Sequence, residues 1–200
     1  MVHPIDVQVD YGDGSRSRGY AALGVVFFLK ALLLVPHWIG LYFVGLIAAV
    51  AAWIGYWAIL FTGHQPKGIS SFISGSLRWS VRSSAWLAST YDSYPKFGFE
   101  DASAGSQTTI QADGGERNRL LAAAGISFLK PLLLLPHIII LVVLQFAAVV
   151  AIWLGFWAIL FTGSFPRVFH EFSVGTLRWL ARVQGWATSL TDQYPPFSMD

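Results

Sequence analysis

His37 to Phe61 reads HWIGLYFVGLIAAVAAWIGYWAILF, 25 residues without one Asp, Glu, Lys or Arg. A bilayer is spanned by roughly 20 consecutive apolar residues, so the run is long enough to cross one as a helix. His137 to Phe161, HIIILVVLQFAAVVAIWLGFWAILF, repeats the pattern a hundred positions later. A buried helix of a water-soluble protein seldom stays uncharged over that length. Across the 200 residues, 54% are hydrophobic and 12% charged, against soluble averages of about 45–50% and about 25%. The expected solvent is lipid.

The echo is a direct repeat. From Phe28 to Phe97, 35 of 70 residues are identical to the residue a hundred positions on, without a gap. Ala58 to Gly63 recurs as Ala158 to Gly163, Leu77-Arg78-Trp79 as Leu177-Arg178-Trp179, and Tyr94-Pro95 as Tyr194-Pro195. Upstream the match continues with a one-residue shift, Arg16 and Arg18 answering to Arg117 and Arg119. Two units follow, 1–98 and 99–200. Alternation at Val7, Val9 and Tyr11, with turn-like Gly12-Asp13-Gly14 behind it, predicts a strand at the start of the first unit, and a weaker stretch around Ile110 predicts its counterpart. Asp101 to Gly115, rich in Ser, Thr, Gly and Asp, reads as the exposed connector plus the second strand.

The units resemble an uncharacterised bacterial membrane family, domain of unknown function 4389. The residues that carry the resemblance are Pro36-His37 and Pro136-His137 before the long runs, the Ile-Leu-Phe-Thr-Gly exits, Arg78-Trp79 with Arg82, and the closing Asp92-x-Tyr94-Pro95 and Asp192-x-Tyr194-Pro195-Pro196-Phe197. The first copy departs by having Lys96 where the second has Pro196. The resemblance implies a membrane location and no assigned activity.

The predicted fold is an all-α integral membrane protein of two parallel units, each with a short strand, a transmembrane helical hairpin and an amphipathic interfacial helix. Tyr20 to Val35 serves as the first limb of the hairpin, since as a helix it is about 24 Å long. Pro36 and Pro136 mark the turn into the second limb. Two crossings per unit place all the Lys and Arg except Lys30 and Lys130 on one side, which the positive-inside rule makes cytoplasmic, with both termini. The location expected is a bacterial cytoplasmic membrane, and a shallow re-entrant hairpin is the competing topology. No cleavable export signal is visible in the polar first 19 residues.

After each hairpin, Pro66 and Pro166 open a third helix. Phe72, Trp79 and Trp86 recur every seven residues on it, as do Phe172, Trp179 and Trp186, while Arg78 and Arg82, like Arg178 and Arg182, lie four apart on another face. That pattern predicts helices lying at the membrane interface, Arg and Trp against anionic headgroups. The rival reading is a buried helix whose aromatics pack on its neighbours. Lys30 and Lys130 are the only full charges inside the apolar limbs, and six residues before the Pro they are expected to snorkel to the outer surface. Pairing within the protein or a transport role are the alternatives. His37 and His137 are candidate ligands or turn residues.

The absence of Cys excludes disulfides, thiolate nucleophiles and cysteine metal sites. No Ser-His-Asp order, phosphate loop or His-Glu-x-x-His motif appears, so neither catalysis nor a cofactor or metal is expected. The net charge of +2, with basic residues dispersed among apolar ones, suits a lipid surface better than nucleic acid. The expected role is a non-catalytic accessory or scaffolding subunit. It would hold membrane lipid and other integral membrane subunits, or its own copies, through small-residue faces at Gly40, Gly45, Gly55 and Gly155. A channel or carrier for a small solute, formed between repeats or protomers, is the alternative.

Overall fold

The structure, a computed structural model, describes residues 3–26, 29–100, 106–110 and 115–200. The first unit supplies β1 (Ile5–Val9), α1 (Arg18–Val25), α2 (Leu29–Leu32), α3 (Val35–Thr62) and α4 (Lys67–Leu87). The second supplies β2 (Ser106–Ile110), α5 (Arg119–Ile126), α6 (Lys130–Leu133), α7 (Leu135–Thr162) and α8 (Arg167–Ala187). Most of the expected connector, 101–105 and 111–114, lies outside the described residues.

The long apolar runs are single helices. α3 and α7 have 28 residues each, about 42 Å, and both are long and apolar enough to cross a membrane. Pro36 and Pro136 fall in the first turn, where no intrahelical partner is lost. Gly63 and Gly163 end the helices in the left-handed region, φ 77° and 79°, with their N–H groups bonded back to Ile59 and Ile159. Glycine is the residue that adopts this geometry without a Cβ clash.

The expected first limb is corrected. Instead of one helix over Tyr20–Val35, the chain makes eight-residue α1 and one-turn α2. The second unit shows the cause: Asn118 caps the start of α5, and Phe128 then takes φ 57°, which an α-helix cannot continue through. Eight residues reach about 12 Å, well short of a hydrocarbon core of roughly 30 Å. Among the described residues each unit therefore holds one long apolar helix, and they do not form a hairpin of two complete crossings.

The short helices are also exchanged. α1 packs on α7 of the other unit and α5 on α3. Gly24 lies under the Phe156 ring and Gly125 under the Tyr56 ring, so a side chain at either glycine would collide with the aromatic. Tyr56 then donates its hydroxyl to the Ala187 carbonyl, and Tyr11 donates to the Phe165 carbonyl at 2.7 Å. The boundary near residue 98 divides the sequence but not the packing.

Within a unit the long helix and the mixed helix run antiparallel. Gly55 of α3 faces Gln65 and Ile69, near the start of α4, while Gly40 receives the Trp79 ring further along. Between units the relation is two-fold. β1 and β2 pair antiparallel with Val7 opposite Thr108, its own counterpart in the repeat. Val81 and its counterpart Ala181 share one buried cluster, and Leu177 sits with Ala85 and Trp86 in another, so α4 and α8 also pass antiparallel. A pseudo-dyad thus runs between Val7 and Thr108 and between Val81 and Ala181, the self-complementary geometry of an isologous dimer on one chain. Since α3 opposes α4, α4 opposes α8 and α8 opposes α7, the two long helices run in opposite senses. The expectation that both cross in the same direction is corrected.

The dyad passes through stacked layers. Ile5, Val7 and Ile110 turn inward onto Leu77, Val81 and Ala181, leaving Gln8, Gln107 and Thr109 exposed. Arg78 and Arg82 stand on that ladder side of α4, opposite Ile69, Ile73, Ser76 and Ser80 on the helical wheel. The opposite side meets α3, whose Ala48 and Ala52 pack into the same cluster. Trp38, Tyr42, Phe43, Leu46, Val50, Trp53 and Phe61 of α3 stay exposed, as do their counterparts along α7.

Candidate functional site

The charged and aromatic residues singled out in the sequence are drawn together, but inside the protein. Lys30 and Lys130 are each 1% exposed, so neither snorkels to an outer surface. Lys30 donates to the Trp86 carbonyl and the Ser89 hydroxyl, both at 2.6 Å, and its ammonium lies 4.4 Å from the Trp86 ring centre and 5.6 Å from that of Phe156. Lys130 donates to Ser189 at 2.7 Å, with Trp186 at 4.7 Å and Tyr56 at 5.2 Å. A lysine at the C-terminal end of a helix meets unpaired carbonyls and the negative end of the helix dipole. The aromatic faces add cation–π attraction. Arg16 completes the cap of α4 through the Ser89 and Thr90 carbonyls, and Arg117 reaches the Leu190 carbonyl after α8.

The closing motif clamps this end of each unit. Asp92 accepts the Ser17 N–H at 2.7 Å and Asp192 that of Asn118 at 2.6 Å, fixing the starts of α1 and α5. Tyr94 and Tyr194 donate to the Leu33 and Leu133 carbonyls at the turns into the long helices. His37 and His137, fully buried, accept the indole N–H of Trp79 and Trp179 at 2.8 and 2.9 Å. Phe97 and Phe197 stack on the two imidazoles at 3.8 and 3.9 Å between ring centres. The histidines are packing elements of the clamp, each facing aromatic rings; among the described residues no group of three or more metal-ligating side chains forms.

The interfacial placement of the arginines and tryptophans is corrected for the same reason: their partners are protein atoms. Trp79, Trp86, Trp179 and Trp186 are buried, as are Arg82 and Arg182. Arg82 donates to the carbonyls of Lys96, Gly98 and Glu100. Arg178 and Arg182 pair with Asp6 at 2.7 and 3.7 Å and donate to the Val7 and Ile5 carbonyls, and Arg78 donates to that of Thr108. Strand edges are prone to pair with other chains, and guanidinium groups here cover the outer carbonyls of the ladder.

Three of the four glycines expected to receive partner helices are likewise filled from within, Gly40 by Trp79, Gly55 by Gln65 and Ile69, and Gly155 by Phe165. Gly45 alone of these has nothing within 4 Å. It lies in a groove of about 300 Å³ between α3, α4 and α8, lined by Ala48, Ile73, Ser80 and Gln184 among others. The repeat explains why this groove is open: the counterparts of Gly45, Ser80 and Ala187 are the bulkier Gln145, Leu180 and Leu87. His170, which has Ser70 as its counterpart, is 3% exposed beside Tyr11, and burial holds its imidazole down at about 4.

The exchange of α1 and α5 escaped the sequence reading. Its signal lies in the pairs Gly24 with Phe156 and Gly125 with Tyr56, small residues of the short helices matched to aromatics of the other unit's long helix.

A family model described as Domain of unknown function (DUF4389) matches residues 25–98 and again residues 127–199. No curated protein and no solved structure matches the chain.

Proposed function

The chain belongs to the DUF4389 family, in two copies, and from that premise we propose that it is a non-catalytic scaffold of a bacterial cytoplasmic membrane, holding lipid and partner helices on α3 and α7. The observation that carries the reading is the division of labour among side chains. Lys30, Lys130, Arg82, Arg182, His37, His137 and the tryptophans of α4 and α8 are engaged in caps, clamps and strand edges, while the long helices keep their large apolar residues exposed. Exposed apolar surface on this scale marks a lipid or protein contact. The open groove at Gly45 supports a helix-binding role, because small residues let backbones approach closely.

Two measurements on the purified protein test the reading. Extraction in mild detergent is expected to bring down a membrane protein in fixed stoichiometry, and vesicles containing the chain are expected to show no more solute flux than empty ones. Saturable, solute-selective flux would replace the scaffold by a carrier.

A further inference from the structure

We propose that the protein seats in one leaflet, with its pseudo-dyad along the membrane normal, so that α3 and α7 lie along the bilayer instead of crossing it. The inference rests on the membrane reading above and adds an orientation to it.

The polar ladder decides between the two ways a pseudo-dyad can meet a bilayer. If the dyad lay in the membrane plane, the ladder, which sits on it, would be carried to the middle of the hydrocarbon. Exposed Gln8, Gln107 and Thr109 would then face acyl chains, where polar side chains cut off from water are costly. With the dyad along the normal, the ladder stands in water, α4 and α8 form the middle layer, and α3 and α7 face the lipid together. Their opposite chain directions then need no opposite crossings.

Charge at the ends of the long helices agrees. Where α3 stops at Gly63, Lys67 and Arg119 are exposed, with Glu116 bridging Arg119 at 3.8 Å. Where α7 stops at Gly163, Arg18 and Arg167 are exposed, with Glu171 bridging Arg167 at 2.8 Å. Each end carries two exposed cations and a bridging carboxylate, with Asp13 beside Ser15 a further carboxylate at the α7 end, and each lies next to an exposed aromatic, Phe61 or Phe161. Cations and aromatic rings suit the headgroup level of an anionic leaflet. The dyad exchanges the two ends, so both reach the same interface when it lies along the normal and opposite interfaces when it does not. Only the first arrangement puts all four cations on one anionic surface.

The chain has no cysteine, so single ones report their side unambiguously. Gly68→Cys and Val168→Cys occupy equivalent positions at the two ends; a Cβ at Gly68 meets nothing within 4 Å and Val168 is 73% exposed. Gln8→Cys marks the ladder. The full chain carrying each substitution is treated with a membrane-impermeant maleimide in sealed right-side-out and inverted membrane vesicles. All three are expected to label in the same vesicle preparation and to lose labelling in the other. Labelling of positions 68 and 168 from opposite faces, or protection of both until detergent is added, overturns the one-leaflet seat while leaving the membrane reading intact. Release of the unlabelled protein by an alkaline wash sinks both.

Discussion

Ser89 and Ser189 hold φ of 55° and 57°, a left-handed conformation that disfavours side chains by about 1–2 kcal/mol and would suit glycine. Each follows the end of its mixed helix, and the next N–H bonds back five residues, Thr90 to Ala85 and Leu190 to Gly185. Serine is explained by the buried ammonium it accepts from. Ser89→Ala keeps the backbone cost and strips Lys30 of an acceptor, so a loss of about 1–3 kcal/mol is expected in thermal unfolding in mild detergent. Ser89→Gly should lose less because it relieves the backbone. An alanine variant as stable as the parent would show that the hydroxyl does nothing. His170 gives the pH counterpart. Its folded value of about 4 lies below the ordinary 6.5, so as pH falls between them the unfolded chain takes up a proton the folded one refuses, and stability drops. Arg16, Arg167, Glu171 and Asp10 set the local field, and desolvation outweighs them. Unfolding midpoints measured from pH 7 to pH 4 should fall more for the parent than for His170→Ser. At this scale the sequence exposed which residues matter and not where they point: Lys30 was visible as a charge in an apolar limb, but its partner Ser89 lies 59 residues away.

The long helices were legible end to end, because an uncharged run bounded by Pro36 and Gly63 leaves little choice of limits. The short ones were not. Tyr20 to Val35 carries no proline before Pro36 and no charge but Lys30, so nothing in the sequence announces that α1 ends at Val25 with the backbone of Val26 extended. The stripe of Phe72, Trp79 and Trp86 has the same period whether it faces headgroups or a neighbouring helix, so burial had to decide it. Helix packing makes a sharp contrast between two glycines. Gly155→Leu drives a side chain into the Phe165 ring and should cost about 1–3 kcal/mol, as overpacking does. Gly45→Leu enters open space and should leave unfolding unchanged while blocking the groove, read as reduced recovery of the co-purifying partner. Equal destabilisation by both would contradict the packing described for α3 and α7.

Whole-molecule symmetry was half legible. An offset of one hundred announces two units, but a direct repeat is compatible with helices that run alike or opposed. The strand register and the two buried clusters, Val81 with Ala181 and Ala85 with Leu177, choose the opposed arrangement. Because the units exchange α1 and α5 and share one ladder, residues 1–98 and 99–200 expressed as separate chains should co-purify when made together. Either one made alone should be lost to aggregation or self-pairing, as sedimentation in detergent would reveal. The polar ladder on one side and apolar helices on the other make the body two-faced. The nine tryptophans report that directly: Trp38, Trp53, Trp57 and Trp153 are exposed on the long helices and Trp157 is half-buried there, whereas Trp79, Trp86, Trp179 and Trp186 are buried. The measurement is tryptophan fluorescence of the protein in vesicles of ordinary lipid and of lipid brominated on its acyl chains. Strong quenching by the brominated chains, removed when those four exposed tryptophans are changed to leucine, is the predicted result; equal fluorescence in the two kinds of vesicle would show that α3 and α7 do not face lipid.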